Sequence, residues 1–173
     1  MLKNPLSHLK TFSQGHRRYI VAILKEIADY YGDSLVGCAI FGSYARRDNR
    51  KNSDLDLLII LDKAPGFSKR IKEFVEQIEM RHEVIAQAIF EQEEILCELS
   101  PYILSREEAL KIHPIYFDLL EHHLVIYDPY DFIDRIIHST RKILTQSGAR
   151  KVRRNNTWEW QTGKIGFPGG IDL

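Results

Sequence analysis

Two short apolar runs, separated by a polar loop, constrain this chain more than any other feature. The first is Leu35-Val36-Gly37-Cys38-Ala39-Ile40-Phe41, and the second is Leu55-Leu57-Leu58-Ile59-Ile60-Leu61 with one acid, Asp56, inside it. Both have strand length and strand-forming composition, so both read as buried strands. A buried strand needs layers to cover it, and the flanking sequence supplies helices. Over residues 12–31, Tyr19, Ile20, Ile23, Leu24, Ile27 and Tyr30 recur at three- and four-residue steps, and Gly32-Asp33 ends the helix. Residues 69–94 are helical in two pieces, with Ser68 as N-cap and a break near Arg81 and His82.

Beyond this point the chain alternates again. Residues 95–104 read as extended, and Pro101 within them argues for an edge or bulged strand. Ser105-Arg106-Glu107-Glu108 is a capping box that opens a helix. A helical stretch follows Pro114 through Leu120, Val125-Ile126-Tyr127 forms a last strand, and residues 131–145 form a final amphipathic helix before Gly148. The order predicts an α/β (α+β) sheet with helices packed against it. Residues 1–128 are expected to form the main domain. Residues 129–173 should be a C-terminal helix and a basic, aromatic tail on the same domain.

The chemistry concentrates at the junction of the two strands. Gly42-Ser43 breaks the first strand, where a glycine lets a phosphate approach the backbone and the next turn aims N–H groups and the Ser43 hydroxyl at it. Arg46 can add charge-assisted bonds to the same phosphate. At the start of the second strand, Asp54 and Asp56 alternate with Leu55 and Leu57, which puts the two carboxylates on one face. Paired hard oxygen ligands suit Mg²⁺, which binds one or two carboxylates plus substrate phosphates. Gly-Ser alone or Asp-x-Asp alone carries little information; the combination between two apolar strands points to metal-assisted nucleotidyl transfer.

Gly42-Ser43, the ten residues 44–53 and Asp54-Leu55-Asp56 resemble the motif of the DNA polymerase beta-type nucleotidyltransferase superfamily, in its minimal nucleotidyltransferase branch. The resemblance covers the preceding helix and strand and extends to about Tyr127. It implies a mixed sheet flanked by helices, two Mg²⁺ ions and an NTP, ATP foremost, whose phosphates rest on the Gly-Ser turn. It makes Asp54 and Asp56 catalytic metal ligands and gives Gly42 and Ser43 the triphosphate. A third carboxylate is expected on a neighbouring strand. Glu98, a charge among Ile95, Leu96, Cys97 and Leu99, is the candidate, ahead of Asp62 and Glu83. Relatives often carry glycine after the motif arginine where this chain has Arg47, which either crowds the nucleotide or adds a phosphate contact. Small members of the branch act with a separate helical partner. The resemblance therefore implies an antitoxin-like protein that transfers AMP to a HEPN-type toxin, alongside transfer to RNA or a small molecule. A non-catalytic nucleotide-binding or partner-binding module is the alternative class.

Composition sets the remaining bounds. Lys and Arg total 24 against 24 Asp and Glu, so no overall field drives the chain onto nucleic acid or membrane. Nucleic acid is left to a local run, Arg141, Lys142, Arg150, Lys151, Arg153 and Arg154, which reads first as a solvated helix face and tail. Trp158 and Trp160 suit one face of a strand or hairpin, or stacking on bases. Cys38 and Cys97 are isolated in apolar runs and read as buried small hydrophobes, not a disulfide. His113, His122 and His123 diverge in direction and read as surface or satisfied core residues. With no long apolar run and no leader-like segment, the expected location is the cytoplasm.

Overall fold

The computed structural model describes residues 9–148, 150–154 and 157–161. Helix α1 (Gln14–Tyr31) opens on Ser13, whose Oγ accepts the His16 N–H at 3.0 Å, and buries Tyr19, Ile20, Ile23, Leu24 and Ile27 at the predicted spacing. Gly32, at φ +46°, ends it. Strand β1 (Leu35–Ile40) follows, then a five-residue helix α2 (Gly42–Arg46), and then β2 (Leu55–Leu61). Helix α3 (Phe67–Phe74) runs through a π-turn (Val75–Glu79) and a 3-10 turn (Met80–His82) into α4 (Glu83–Glu93), so the break falls where the sequence placed it. Next come β3 (Leu99–Ser105), α5 (Arg106–Ala109), α6 (Ile115–Leu119), β4 (Leu124–Tyr127) and α7 (Phe132–Gln146).

The sheet runs β3-β2-β1-β4, with β2 and β3 parallel and the other pairs antiparallel, which is the mixed sheet expected. Its two faces bury different sets. Cys38, Ile40, Leu55, Leu57, Ile59 and Leu61 pack with α1, Phe74 and Ile78. Ala39, Leu58, Ile60 and Leu104 pack with Tyr116, Leu119 and the Phe132, Ile133, Ile136 and Ile137 stripe of α7. Leu57, Leu58, Ile59 and Ile60 have no exposed surface. Each contributes about 1.5–3 kcal/mol by burial, which anchors β2 firmly in the core. At Gly37 a Cβ would lie 2.8 Å from Ile133 Cδ1, which shows how closely α7 crosses β1.

Strand β3 is an edge, as Pro101 implied. Leu55 N–H donates to Glu98 O at 2.9 Å, and in the parallel register that phase turns the backbone of Leu99, Pro101 and Ile103 outward. Pro101 has no N–H to offer there, and the N–H of Ser105 is taken by Glu108 Oε2 at 2.8 Å within the predicted capping box. The open edge is thereby blunted.

Three local readings change. Ser68 is not the cap of α3: the helix begins at Phe67, after Gly66, whose carbonyl accepts from Lys69 and Arg70 at 3.0 and 3.1 Å. The extended run starts at Leu99, four residues later than expected, so Cys97 lies outside the strand, half-buried, while Cys38 is buried within β1. Both cysteines are free thiols. Asp54 also lies just outside its strand. In the tail, β5 (Arg150–Arg154) pairs antiparallel with β6 (Thr157–Gln161), with Arg153 opposite Trp158 and Lys151 opposite Trp160. Residues 1–8, 149, 155–156 and 162–173 lie outside the described residues.

Candidate active site

Antiparallel pairing brings the end of β1 against the start of β2. Ile40 pairs with Leu57, and the Phe41 N–H donates to Asp56 O at 3.1 Å, so the chain turns at Gly42 directly beside Asp56. Gly42 adopts φ +64°, a conformation open to glycine at little cost. It also makes room: a Cβ there would lie 2.9 Å from Asp56 Cγ and would overlap Oδ2. The Asp56 carboxylate therefore rests against the backbone of the Gly-Ser turn. Two features that are fourteen positions apart in the chain form one surface.

The turn is held from below. Tyr44 is buried, and its hydroxyl lies 3.1 Å from His16 Nε2. His16 Nδ1 accepts the Phe12 N–H at 3.4 Å, which leaves the proton of a neutral ring on Nε2, facing Tyr44. Asn49, also buried, donates to Lys10 O at 3.1 Å and accepts Lys10 Nζ on its own carbonyl at 2.9 Å. The polar loop closes on itself: Arg50 N–H donates to Ser53 Oγ at 2.8 Å and Ser53 N–H to Arg50 O at 3.0 Å. Leu96 N–H then ties Lys51 O to the link before β3 at 2.7 Å.

Helix α2 ends at Arg47, which takes the left-handed conformation with φ +65°. That position caps a helix and suits glycine. Arg47 therefore carries backbone strain that a glycine at this position would relieve.

Asp54 is exposed and Asp56 half-buried. Burial raises the Asp56 carboxyl above the usual carboxylate range; the Ser100 hydroxyl opposes this as a hydrogen-bond donor, Asp54 adds to it, Arg46 opposes and Asp118 adds. Ser100 is the register partner of Asp56 on β3, and Asp118 comes from α6. Arg46 also pairs with Asp48 through Nε at 3.2 Å. Two adjacent carboxylates, one raised by burial and by its neighbour, with one guanidinium in reach, form a hard anionic donor set that fits Mg²⁺.

Of the other acids, Asp62 and Glu83 fall elsewhere. Glu98 precedes β3 with an exposed side chain; its backbone carbonyl accepts the N–H of Leu55, between Asp54 and Asp56, at 2.9 Å, and its charge also acts on Glu79. The burial argument that singled it out does not hold for its side chain. Asp62 stands at the far end of β2, paired with Arg106 at 3.2 Å, and Glu83 opens α4. Ser100 and Asp118 were missed, and only the β2–β3 register and the placement of α6 reveal them. His113 is satisfied by Tyr102 at 3.0 Å and Glu108 O at 2.9 Å, and His123 by Leu119 O at 2.7 Å. Asp128, Asp131 and Asp134 also cluster, but Asp128 uses its carboxylate to accept the N–H groups of Phe132, Ile133 and Asp134 and so caps α7. No helix among the described residues is long and apolar enough to cross a membrane.

Comparison with known proteins gives the family. A Methanocaldococcus jannaschii protein named "Putative protein adenylyltransferase" is 24% identical over 138 residues, which cover 79% of this chain and 88% of that one. The structure of spectinomycin adenyltransferase AAD(9) from Enterococcus faecialis, with ATP and spectinomycin, shares the fold at TM-score 0.52 and 17% identity. The match spans 76% of this chain and 65% of that one. A tri-AMPylated Shewanella oneidensis HEPN toxin in complex with MNT antitoxin aligns at TM-score 0.39 and 11% identity, over 75% of this chain and 92% of the other. Residues 20–144, from α1 through most of α7, match the family described as Nucleotidyltransferase domain, and the chain belongs to that family: it is a nucleotidyltransferase.

Proposed function

We propose that this nucleotidyltransferase transfers AMP from ATP to a hydroxyl of a partner protein, with Mg²⁺ and release of pyrophosphate. The observation that supports it is the contact of the Asp56 carboxylate with the Gly42 backbone, a carboxylate suited to a metal beside a turn suited to a phosphate. Gly42, Ser43 and Arg46 would hold the triphosphate, and Asp54 and Asp56 would hold the metal, which when bound neutralises charge on the reacting phosphate. The acceptor oxygen attacks the α-phosphorus in line, the bond from that phosphorus to the pyrophosphate oxygen breaks, and the acceptor proton leaves to a base or water. Ser100, the register partner of Asp56 on β3, would help to orient it. Glu98, whose carbonyl accepts the Leu55 N–H, would add the third carboxylate. A protein acceptor follows the name of the archaeal relative; a HEPN-type toxin is one such acceptor.

The test uses ATP labelled at the α- or the γ-phosphate, with Mg²⁺ and cell extract. Label from the α-phosphate alone should appear on a protein band, Asp56→Asn should abolish it, and Glu98→Gln should lower it. Labelled RNA or a labelled small molecule would move the acceptor to that class. Binding of ATP without any transfer would favour a non-catalytic module, and transfer of the γ-label would refute the reading.

A further inference from the structure

Among the described residues, β5 and β6 pair with each other in a sheet of their own, apart from the four-stranded sheet. Their register fixes which residues share a face. Directly opposed residues of an antiparallel pair lie on the same side, and so do alternate residues of one strand. Lys151 pairs with Trp160 and Arg153 with Trp158, so one face carries two cations and two tryptophans. Arg150, Val152, Arg154, Thr157, Glu159 and Gln161 take the other face. Glu159, the one acid of the two strands, is thus kept off the tryptophan side. A two-stranded ribbon is marginally stable in water by itself, and an indole releases its large burial energy only when covered. The tryptophan face calls for a partner.

The residues on that face select its chemistry. Two cations and no acid favour an anion. Each cation stands directly across from a tryptophan, so charge and ring alternate along the ribbon instead of gathering at separate ends. A polymer whose own phosphates and flat bases alternate matches that pattern. An acidic protein surface would leave the indoles without a counterpart, and a bilayer holds its phosphates in a layer apart from its apolar region. The step from Trp158 to Trp160 along β6 is about 6.8 Å, twice the roughly 3.4 Å rise of stacked bases. A duplex keeps its bases at the shorter step. A single strand splays them, and RNA is read chiefly in that form, on aromatic rings and guanidinium planes. We propose that the face formed by Lys151, Arg153, Trp158 and Trp160 binds single-stranded RNA, phosphates to the cations and bases to the indoles. Such a site tolerates any sequence, because every base offers a ring face. The assignment uses none of Gly42, Asp54 and Asp56, so it stands apart from the choice of AMP acceptor.

The chain has 2 tryptophans and both belong to this face, so indole fluorescence reports on it alone. Titrating the whole protein with an oligouridylate of about 20 nucleotides should quench that emission saturably, with Kd between about 1 and 100 µM near physiological salt. Trp158→Ala and Trp160→Ala should each weaken binding about 5- to 150-fold, the range for one lost base stack, measured by anisotropy of an end-labelled strand. Lys151→Gln and Arg153→Gln leave both indoles in place and should each flatten the slope of log affinity against log salt by about 0.7. Asp56→Asn should bind as the wild type does. An oligouridylate that leaves the emission unchanged would overturn the inference. So would tighter binding of an RNA duplex of equal length, or emission that responds to phosphatidylglycerol vesicles and not to the strand. Loss of binding in Asp56→Asn would also overturn it, by placing the strand at the active site.

Discussion

Replacing Gly42 by alanine separates two costs that the structure assigns to one atom. The first is backbone strain at φ +64°, worth about 1 kcal/mol for a residue with a Cβ. The second is displacement. The new Cβ would stand 3.3 Å from Asp56 Cβ, 2.9 Å from its Cγ, and in overlap with Oδ2, so the carboxylate must shift by about 1 Å. A misplacement of that size costs about 10²-fold in rate. Gly148 supplies the control: it holds φ +65° with nothing within 4 Å of its own Cβ position. Both variants should therefore lose about 1 kcal/mol, a fall of about 2–4 °C in Tm for a chain of this size. Only Gly42→Ala should lose about 100-fold in transfer of α-labelled phosphate, measured as initial rate per folded protein. If Gly42→Ala melts lower but transfers at the wild-type rate, Asp56 is not where the chemistry happens and the reasoning fails.

Arg47→Gly should raise stability by about 1 kcal/mol, because glycine adopts φ +65° without strain; thermal melting reads it, and an unchanged or lower Tm would count against the backbone explanation. Asp128→Ala removes the acceptor of three backbone N–H groups at the start of α7 and should cost about 2 kcal/mol, or about 4–8 °C, with no recovery on adding Mg²⁺. Burial lowers the pKa of His16 below 6.5, against an opposing pull from Glu93, so the neutral ring is the folded form. Unfolding then takes up a proton at acid pH. The stability contributed by neutral His16 is complete above pH 6.5 and declines as pH falls below it. Melting curves between pH 7.5 and pH 5 should show a steeper loss in the wild type than in His16→Gln; equal slopes would show that His16 is not responsible.

Much of the architecture was legible because it rests on local repeats. The three- and four-residue spacing of α1, the Ser105–Glu108 capping box and the proline of an edge strand each act within a few residues of themselves. Where the reading slipped, a competing local signal won. Ser68 is a good cap by type, but Gly66 already supplies the first helical carbonyl to Lys69 and Arg70. Glu98 drew attention as a charge among apolar neighbours, yet residues 94–98 form an irregular link in which its side chain reaches solvent. Residue type could not show that, since exposure of a short link depends on what packs over it.

The amino-acid order by itself determined the Gly42-Ser43 turn, the ten-residue loop, the alternating Asp54 and Asp56 and the helices that cover them, since spacing along the chain dictates which side each residue takes. Only the tertiary structure decided that Asp56 lies against Gly42, that Ser100 and Asp118 join it, that Arg47 bears a left-handed backbone and that Lys151 and Arg153 stand opposite Trp160 and Trp158. Those facts arise from strand register and layer packing, which bring together residues that no local periodicity relates.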